Sequence, residues 1–190
     1  KFINQVVLFD YIIIILGGIK MAITFVVANQ KGGIGKTTTA TTIAGILGKK
    51  YKTLLIDADP QGNSSATYQA KIKDQATLYD VMVDSDRIPL EEAVQHLDNG
   101  DIVASDPLLI KAEKLLDGDV EGLYRLKDAI EEVESYDYII IDTAPALGVV
   151  LYNSLIAADR VIIPITADAY SLQGINQLYS TIKAVQKRQN

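Results

Sequence analysis

The sequence contains no cysteine, no tryptophan and a single histidine, His96, in 190 residues. Without cysteine the chain forms no disulfide, no thiolate metal site and no iron–sulfur cluster of its own. One imidazole cannot build a histidine-based metal centre. This residue usage fits a cytoplasmic protein. An uninterrupted apolar run of about 20 residues, the length that spans a bilayer, is also missing. The stretch Val6 to Leu16 is shorter and carries Asp10, so stable membrane insertion is not expected. Basic residues are not in excess either: 18 Lys and Arg stand against 24 Asp and Glu, for a net charge of −6. The surface as a whole therefore does not advertise nucleic-acid binding, and only a local basic patch could supply it. What is present is 48% apolar residues with charges of both signs interspersed, enough for one folded domain with a substantial core.

Residues 1–20 read as an apolar leader unlike the remainder. Lys1 is a weak basic n-region and Gly17-Gly18 a poor cleavage site, which argues against a signal peptide. Gly17 to Lys20 can be encoded by a ribosome-binding sequence at a workable distance from the Met21 codon. The expectation is that residues 1–20 are translated upstream sequence and that the domain proper runs over residues 21–190.

From Met21 onward, strands alternate with helices. Ile23 to Ala28 is a β-branched strand, Asn29 to Gly35 a glycine-rich loop and Lys36 to Lys49 a helix. Thr53 to Ile56 is a second strand ending at Asp57, and Asp59 to Ser65 carries turn residues and reads as loop. Residues 76–98 suggest two short helices broken near Pro89, and Asp101 to Ala104 a weak strand. Asp106-Pro107 has the form of an N-cap followed by proline at the first helical position, with helices over about 107–116 and 119–134. Tyr136 to Ile141 is a continuous apolar strand of the kind buried on both faces of a parallel sheet. A helix near 148–158, a strand from Arg160 to Ile165 and a helix from 171 onward complete the pattern. This alternation predicts an α/β fold, a doubly wound and mostly parallel sheet with helices on both faces. Ligands of such sheets bind at the edge formed by the strand C-termini.

The informative segment is Lys31-Gly32-Gly33-Ile34-Gly35-Lys36-Thr37-Thr38. It lies between a predicted strand and a predicted helix, the setting a phosphate-binding loop requires. Its glycines let backbone N–H groups wrap around phosphates, and the helix N-terminus adds positive potential. Lys36 supplies a cation to the β- and γ-phosphates, and the Thr37 hydroxyl can ligate Mg²⁺. The usual motif has glycine where Gln30 stands, so this is a P-loop of altered spacing. Two acids, Asp57 and Asp59, follow at the end of the second strand, where alternation would point them the same way. A third, Asp142, ends the Tyr136–Ile141 strand as a Walker B acid does. A nucleotide–Mg²⁺ site needs carboxylates near the metal and one to position water.

The stretches A-N-Q-K-G-G-I-G-K-T-T-T, L-L-I-D-A-D-P-Q-G-N and D-Y-I-I-I-D-T-A-P-A-L-G resemble the deviant Walker A family, and within it the ParA/Soj-type chromosome or plasmid partitioning ATPases. The resemblance covers residues 21–190 and stops short of the family's C-terminal part. It implies an ATP-dependent switch for DNA partitioning, with weak, partner-stimulated hydrolysis of ATP to ADP and phosphate in an ATP-sandwich homodimer. It also implies Mg²⁺ as cofactor, a ParB-like centromere-binding protein as partner, nonspecific DNA bound through the missing C-terminal region, and a cytoplasmic, nucleoid-associated location. By the same resemblance the catalytic residues are Lys31, Lys36 and Asp59, with Lys31 acting across the dimer. The cofactor-binding residues are Lys31, Gly32, Gly33, Ile34, Gly35, Lys36, Thr37 and Thr38, and the metal-associated residues are Thr37, Asp57 and Asp142. Thr143 to Gly148 would be the second switch loop. Lys183, Lys187 and Arg188 begin a basic run that also reads as an ordinary helix C-terminus favoured by the helix dipole. The alternative within the fold is a MinD-like, membrane-associated division or positioning regulator. A metabolic P-loop enzyme and a non-hydrolysing interaction module are the readings from other classes.

Overall fold

The computed structural model describes residues 22–83, 87–116, 118–165 and 171–189. The expectation for residues 1–20 falls outside them. The elements are β1 (Ile23–Val27), α1 (Lys36–Leu47), β2 (Thr53–Ala58), α2 (Asn63–Tyr68), α3 (Leu78–Met82), β3 (Val94–Leu97), β4 (Gly100–Val103), α4 (Leu109–Leu115), α5 (Arg125–Glu131), β5 (Tyr138–Thr143), α6 (Val149–Ala157), β6 (Arg160–Ile162) and α7 (Ser171–Gln189). The strands form one sheet in the order β3-β4-β2-β5-β1-β6. All pairings are parallel except β3 with β4, so the expected doubly wound, mostly parallel sheet is what the chain forms.

The apolar runs explain the layering. Successive side chains of a strand face opposite sides, and β2 and β5 carry consecutive apolar residues, so both faces must be covered. Leu54, Ile56, Ile139 and Ile141 pack with α3, α4, α5, α6 and α7 on one side. Leu55, Ile102 and Ile140 pack with α1 and with Tyr68 of α2 on the other. Each fully buried isoleucine of β5 contributes about 1.5–3 kcal/mol. Ala40 and Ala44 are the buried residues of α1 beside Lys36. Their small side chains let that helix lie close to the sheet while its first turn points at the strand ends.

Several local readings are corrected. The segment read as loop over Asp59 to Ser65 becomes helical at Asn63, after Gly62 takes the left-handed conformation at φ 65°. Serine and asparagine are weak helix formers; here the side chains of Ser64 and Ser65 are held by the site described below. The two helices expected over 76–98 are α3, whose N-terminus is capped by Thr77 and Asp80, and a single 3-10 turn, Leu90–Ala93. Val94–Leu97 is β3, which forms an antiparallel hairpin with β4 across Asp98-Asn99. The Asp-Asn-Gly turn signal was present, and Gly100 carries φ 121° at its end. The helix expected over 119–134 is split into a 3-10 turn, Glu121–Leu123, and α5. The strand from Arg160 ends at Ile162, two residues before Pro164, which has no N–H to give a ladder. Asp106 does begin the turn into α4, where its carboxylate accepts the Leu108 N–H at 2.6 Å.

The polar core residue Asn153 had no counterpart in the sequence reading. Fully buried in α6, it accepts the Leu126 N–H at 3.1 Å and donates to Gly122 O at 2.9 Å. It thereby joins α6 to the irregular entry into α5. Asn153→Ala would leave those two buried backbone groups without partners. The expected loss is about 2–4 kcal/mol of unfolding free energy, measured as a lower urea midpoint at unchanged slope.

Candidate nucleotide site

Parallel strands deliver their C-termini to one edge, and that edge collects the residues singled out in the sequence. β1 leads into the loop 29–35, β2 into Asp59, β4 into Ser105 and β5 into Thr143. The loop has the backbone its glycines permit. Gly33 and Gly35 have φ of 68° and 93°, a region L-residues rarely adopt, and Gly35 is the N-cap of α1. A β-carbon on Gly32 would meet nothing within 4 Å, so the chain itself places no demand there and open space lies beside the loop. Asn29 braces the loop: its Oδ1 accepts the Lys31 N–H at 3.0 Å and its Nδ2 donates to Pro164 O at 2.7 Å.

Lys36 is buried at the start of α1, and its Nζ donates to Lys31 O at 3.2 Å. Burial lowers its pKa, against the opposing attraction of Asp142 and Asp59. The lysine thus lies within the field of the acids at the ends of β2 and β5. Lys31, by contrast, is exposed.

The acids are brought together by register. Asp57 and Asp142 are partners across the β2–β5 ladder, and both are 0% exposed. Asp57 Oδ2 accepts the N–H and the hydroxyl of Ser65, both at 2.7 Å, and Oδ1 accepts the Asp59 N–H at 3.2 Å. Burial raises its pKa to about 6, opposed by the Ser65 hydrogen bonds and reinforced by the neighbouring Asp142 charge. Asp142 Oδ2 accepts the Ser64 hydroxyl at 2.8 Å. Its pKa is also raised by burial, opposed first by the hydrogen bonds from Ser64 and Thr37. Asp59 lies just beyond β2, buried, with its carboxylate accepting the Gln61 N–H at 2.9 Å and its carbonyl accepting the Ser105 hydroxyl at 2.6 Å. The structure therefore gathers Lys36, Thr37, Asp57, Asp59 and Asp142 at one place. Ile34 and Thr38 lie on the same loop-to-helix turn.

Four serving residues escaped the sequence reading: Asn29, Ser64, Ser65 and Ser105. Asn29 sits inside a quoted motif, while Ser64 and Ser65 fall at the end of the stretch read as loop, where their polar character was the available signal. Ser105 carried only its place after a strand. Thr143 is spoken for structurally, since its hydroxyl donates to Val27 O at 2.8 Å.

The donor set suits a magnesium–polyphosphate. Among the described residues no cluster of three His, Cys, Asp or Glu forms a metal site by itself. Mg²⁺ takes oxygen ligands and usually keeps several waters beside one or two carboxylates and substrate phosphates. Two buried polar atoms here lack hydrogen-bond partners, Asp142 Oδ1 and Gln30 Nε2, and such atoms call for a water or ligand. Thr37 and Asp142 would hold the metal and its water, and the loop N–H groups and Lys36 the phosphates. Two cavities lie elsewhere. One of about 460 Å³ sits at the opposite sheet edge around Thr24, Ile156 and Arg160. One of about 450 Å³ lies beside Leu147-Gly148. The loop is an open cradle, so its chemistry identifies it rather than its volume.

A pH dependence follows from Asp57. Its folded pKa, about 6, lies above the ordinary 3.8, so the folded state binds its proton more tightly than the unfolded state does. That stabilisation is complete below the unfolded value and is lost as pH rises through about 6. Nucleotide-free protein should show a higher urea midpoint at pH 5 than at pH 7. Asp57→Asn should reduce that difference, leaving the part that Asp142 contributes with the same sign.

Comparison with known proteins agrees with this geometry. A family model described as AAA domain matches residues 22–190. The chain is 40% identical over 170 residues to the sporulation initiation inhibitor protein Soj of Bacillus subtilis, covering 86% of this chain and 66% of that protein. It is 40% identical to the chromosome partitioning protein ParA of Myxococcus xanthus, covering 86% of this chain and 59% of that one. It thus spans about two thirds or less of the length of these relatives. A cobyrinic acid a,c-diamide synthase from Mycobacterium smegmatis with bound ADP and magnesium superposes with a TM-score of 0.82 at 32% identity, over 88% of this chain and 69% of that one. A plasmid partition protein from Borrelia burgdorferi gives 0.79 at 28% identity, over 87% and 74%. The expected P-loop edge, the sheet that builds it and the relatives that share it place the chain in the AAA domain family and, within it, among the ParA/Soj-type partitioning ATPases.

Proposed function

We propose that this chain is the nucleotide-switch domain of a DNA-partitioning ATPase that binds Mg²⁺-ATP and hydrolyses it slowly. The observation that carries this is the register pairing of Asp57 with Asp142 beside a buried Lys36. It supports a reading in which Lys36 gives the phosphates counter-charge and Asp142 serves the metal side, with buried Asp59 just beyond β2. Lys36 and the loop N–H groups bind and orient the phosphates, and Asp142 with Thr37 holds the metal side. Bound Mg²⁺ would neutralise charge that develops on the phosphates. Asp59, in the loop after β2, positions or activates the attacking water. Asp57, with both oxygens hydrogen-bonded inside the chain, supports the metal's water shell from behind rather than touching the metal.

Lys31 reaches the phosphates of a second copy in an ATP-sandwich dimer. The exposure of Lys31, set against the burial of Lys36, supports that division between the two lysines. The dimer then binds DNA without sequence preference, and a ParB-like centromere-binding partner stimulates hydrolysis and release. Lys183 and Lys187 lie exposed on α7 and would contribute basic charge, with further contacts from the part of the relatives that this chain does not span. The protein acts in the cytoplasm on nucleoid DNA.

The likeness to Soj and ParA favours this reading over a MinD-like regulator. No described helix is long and apolar enough to cross a membrane. The likeness to a named synthase supports a second reading, an ATP-dependent metabolic enzyme on the same scaffold. Turnover of the whole protein with and without DNA and a ParB-like partner separates them: a switch responds to both, whereas the enzyme needs a small-molecule acceptor and ignores them.

Substitutions test the site itself. Lys36→Ala should weaken ATP binding by roughly tenfold to 100-fold through loss of a charge-assisted contact, read by calorimetry. Asp59→Ala should keep ATP affinity and lower turnover by at least about 100-fold, and undiminished phosphate release would remove it from catalysis. Lys31→Ala should fold and bind ATP as a monomer yet fail to dimerise with it, as sedimentation velocity would reveal.

A further inference from the structure

Ser64 and Ser65 are adjacent in the first turn of α2, and both are buried. Buried hydroxyls are hydrogen-bonded, and here each has its own acid. Ser65 Oγ donates to Asp57 Oδ2 at 2.7 Å and Ser64 Oγ to Asp142 Oδ2 at 2.8 Å. Because Asp57 and Asp142 are register partners on neighbouring strands, neighbouring serines hold neighbouring carboxylates. The two acids are not served alike. Asp57 also receives two backbone N–H groups, and its serine is braced in turn by the Ser105 N–H at 2.9 Å. Asp142 receives the Ser64 hydroxyl on Oδ2 and keeps Oδ1 buried without a hydrogen-bond partner.

We propose that Ser64 is a positioning residue for Asp142: its hydroxyl pins Oδ2, so that Oδ1 is the oxygen left to take a water of the Mg²⁺ shell. The inference rests on the nucleotide-site reading above. An aspartate carboxylate turns in a broad torsional well, and a short bond to a buried residue narrows that motion. Ser64 is well placed to do so because its own support is fixed. The Gly62 N–H and the Ser105 hydroxyl both donate to Asp59 O, at 2.8 and 2.6 Å. Asp142 on β5 is therefore tied to the same turn that carries Asp59. The metal-side and water-side acids share one support, although they come from different strands. A merely structural Ser64 would affect stability and leave the metal's contribution to nucleotide binding as it was.

The test measures binding rather than turnover. The whole chain and its variants are titrated with methylanthraniloyl-ATP, once in EDTA and once in excess Mg²⁺, and the ratio of the two Kd values is the readout. Ser64→Ala should bind the analogue in EDTA as the parent does and lose about tenfold of the Mg²⁺-dependent tightening, the low end for an outer-shell partner of a metal. Ser64→Thr, which keeps the hydroxyl, should retain that tightening. In an Asp142→Asn background, removing the Ser64 hydroxyl should change nothing further. Equal tightening in Ser64→Ala and parent, with both folded by circular dichroism, overturns the inference, as does an undiminished Ser64 effect in the Asp142→Asn background. Should the alanine variant fail to fold, Ser64→Cys, with a weak donor of similar size, supports the same comparison. A parent chain that binds no analogue at all overturns the nucleotide-site reading together with this inference.

Discussion

Two buried carboxylates side by side are the constraint around which this structure is arranged. The β2–β5 ladder sets Asp57 against Asp142, in a sheet interior where a pair of like charges repel and neither is solvated. Three groups of residues make that tolerable. Lys36 brings an opposite charge from α1, Ser64 and Ser65 bring hydroxyls from α2, and Thr37 brings a further one from the first turn of α1. Burial still raises the pKa of both acids in the chain alone. A magnesium–nucleotide is the kind of partner that completes the compensation.

The same constraint explains the irregular parts of the fold. The turn 59–62 is short and tightly bonded, because α2 must begin where its two serines reach the two strands. Gly62 in the left-handed region makes that reversal. Ser105, after β4, closes the far side by bonding both Ser65 Oγ and Asp59 O. On the near side Asn29 links the phosphate loop to Pro164 after β6. The edge of the sheet is thus laced from β4 to β6 by short polar bridges, while the helices on the two faces supply the apolar burial that holds the strands in register.

Much of this was legible from local pattern. The strand–loop–helix around Lys31 to Thr38 identified itself because glycine, lysine and threonine at that spacing have few other uses. β2 and β5 announced themselves as unbroken apolar runs, each ending in an acid. The hairpin β3–β4 was missed because Val94 to Leu97 is short and mixed in character, and its stability comes from pairing with β4 and not from its own residues. α2 was missed for the opposite reason: Asn63, Ser64 and Ser65 prefer turns in isolation, and their helix is held in place by distant carboxylates.

The sequence by itself determined the fold class and the phosphate loop, and put Asp57, Asp59 and Asp142 at the ends of two apolar strands, because apolar periodicity and motif spacing are local properties of the chain. Only the tertiary structure decided which acid faces which. The pairing of Asp57 with Asp142 is a matter of strand register, and the division of Ser64 and Ser65 between them follows from where α2 is seated. Ser64 and Asp142, 78 positions apart in the chain, meet there because β2 and β5 lie side by side, and no local pattern encodes that distance.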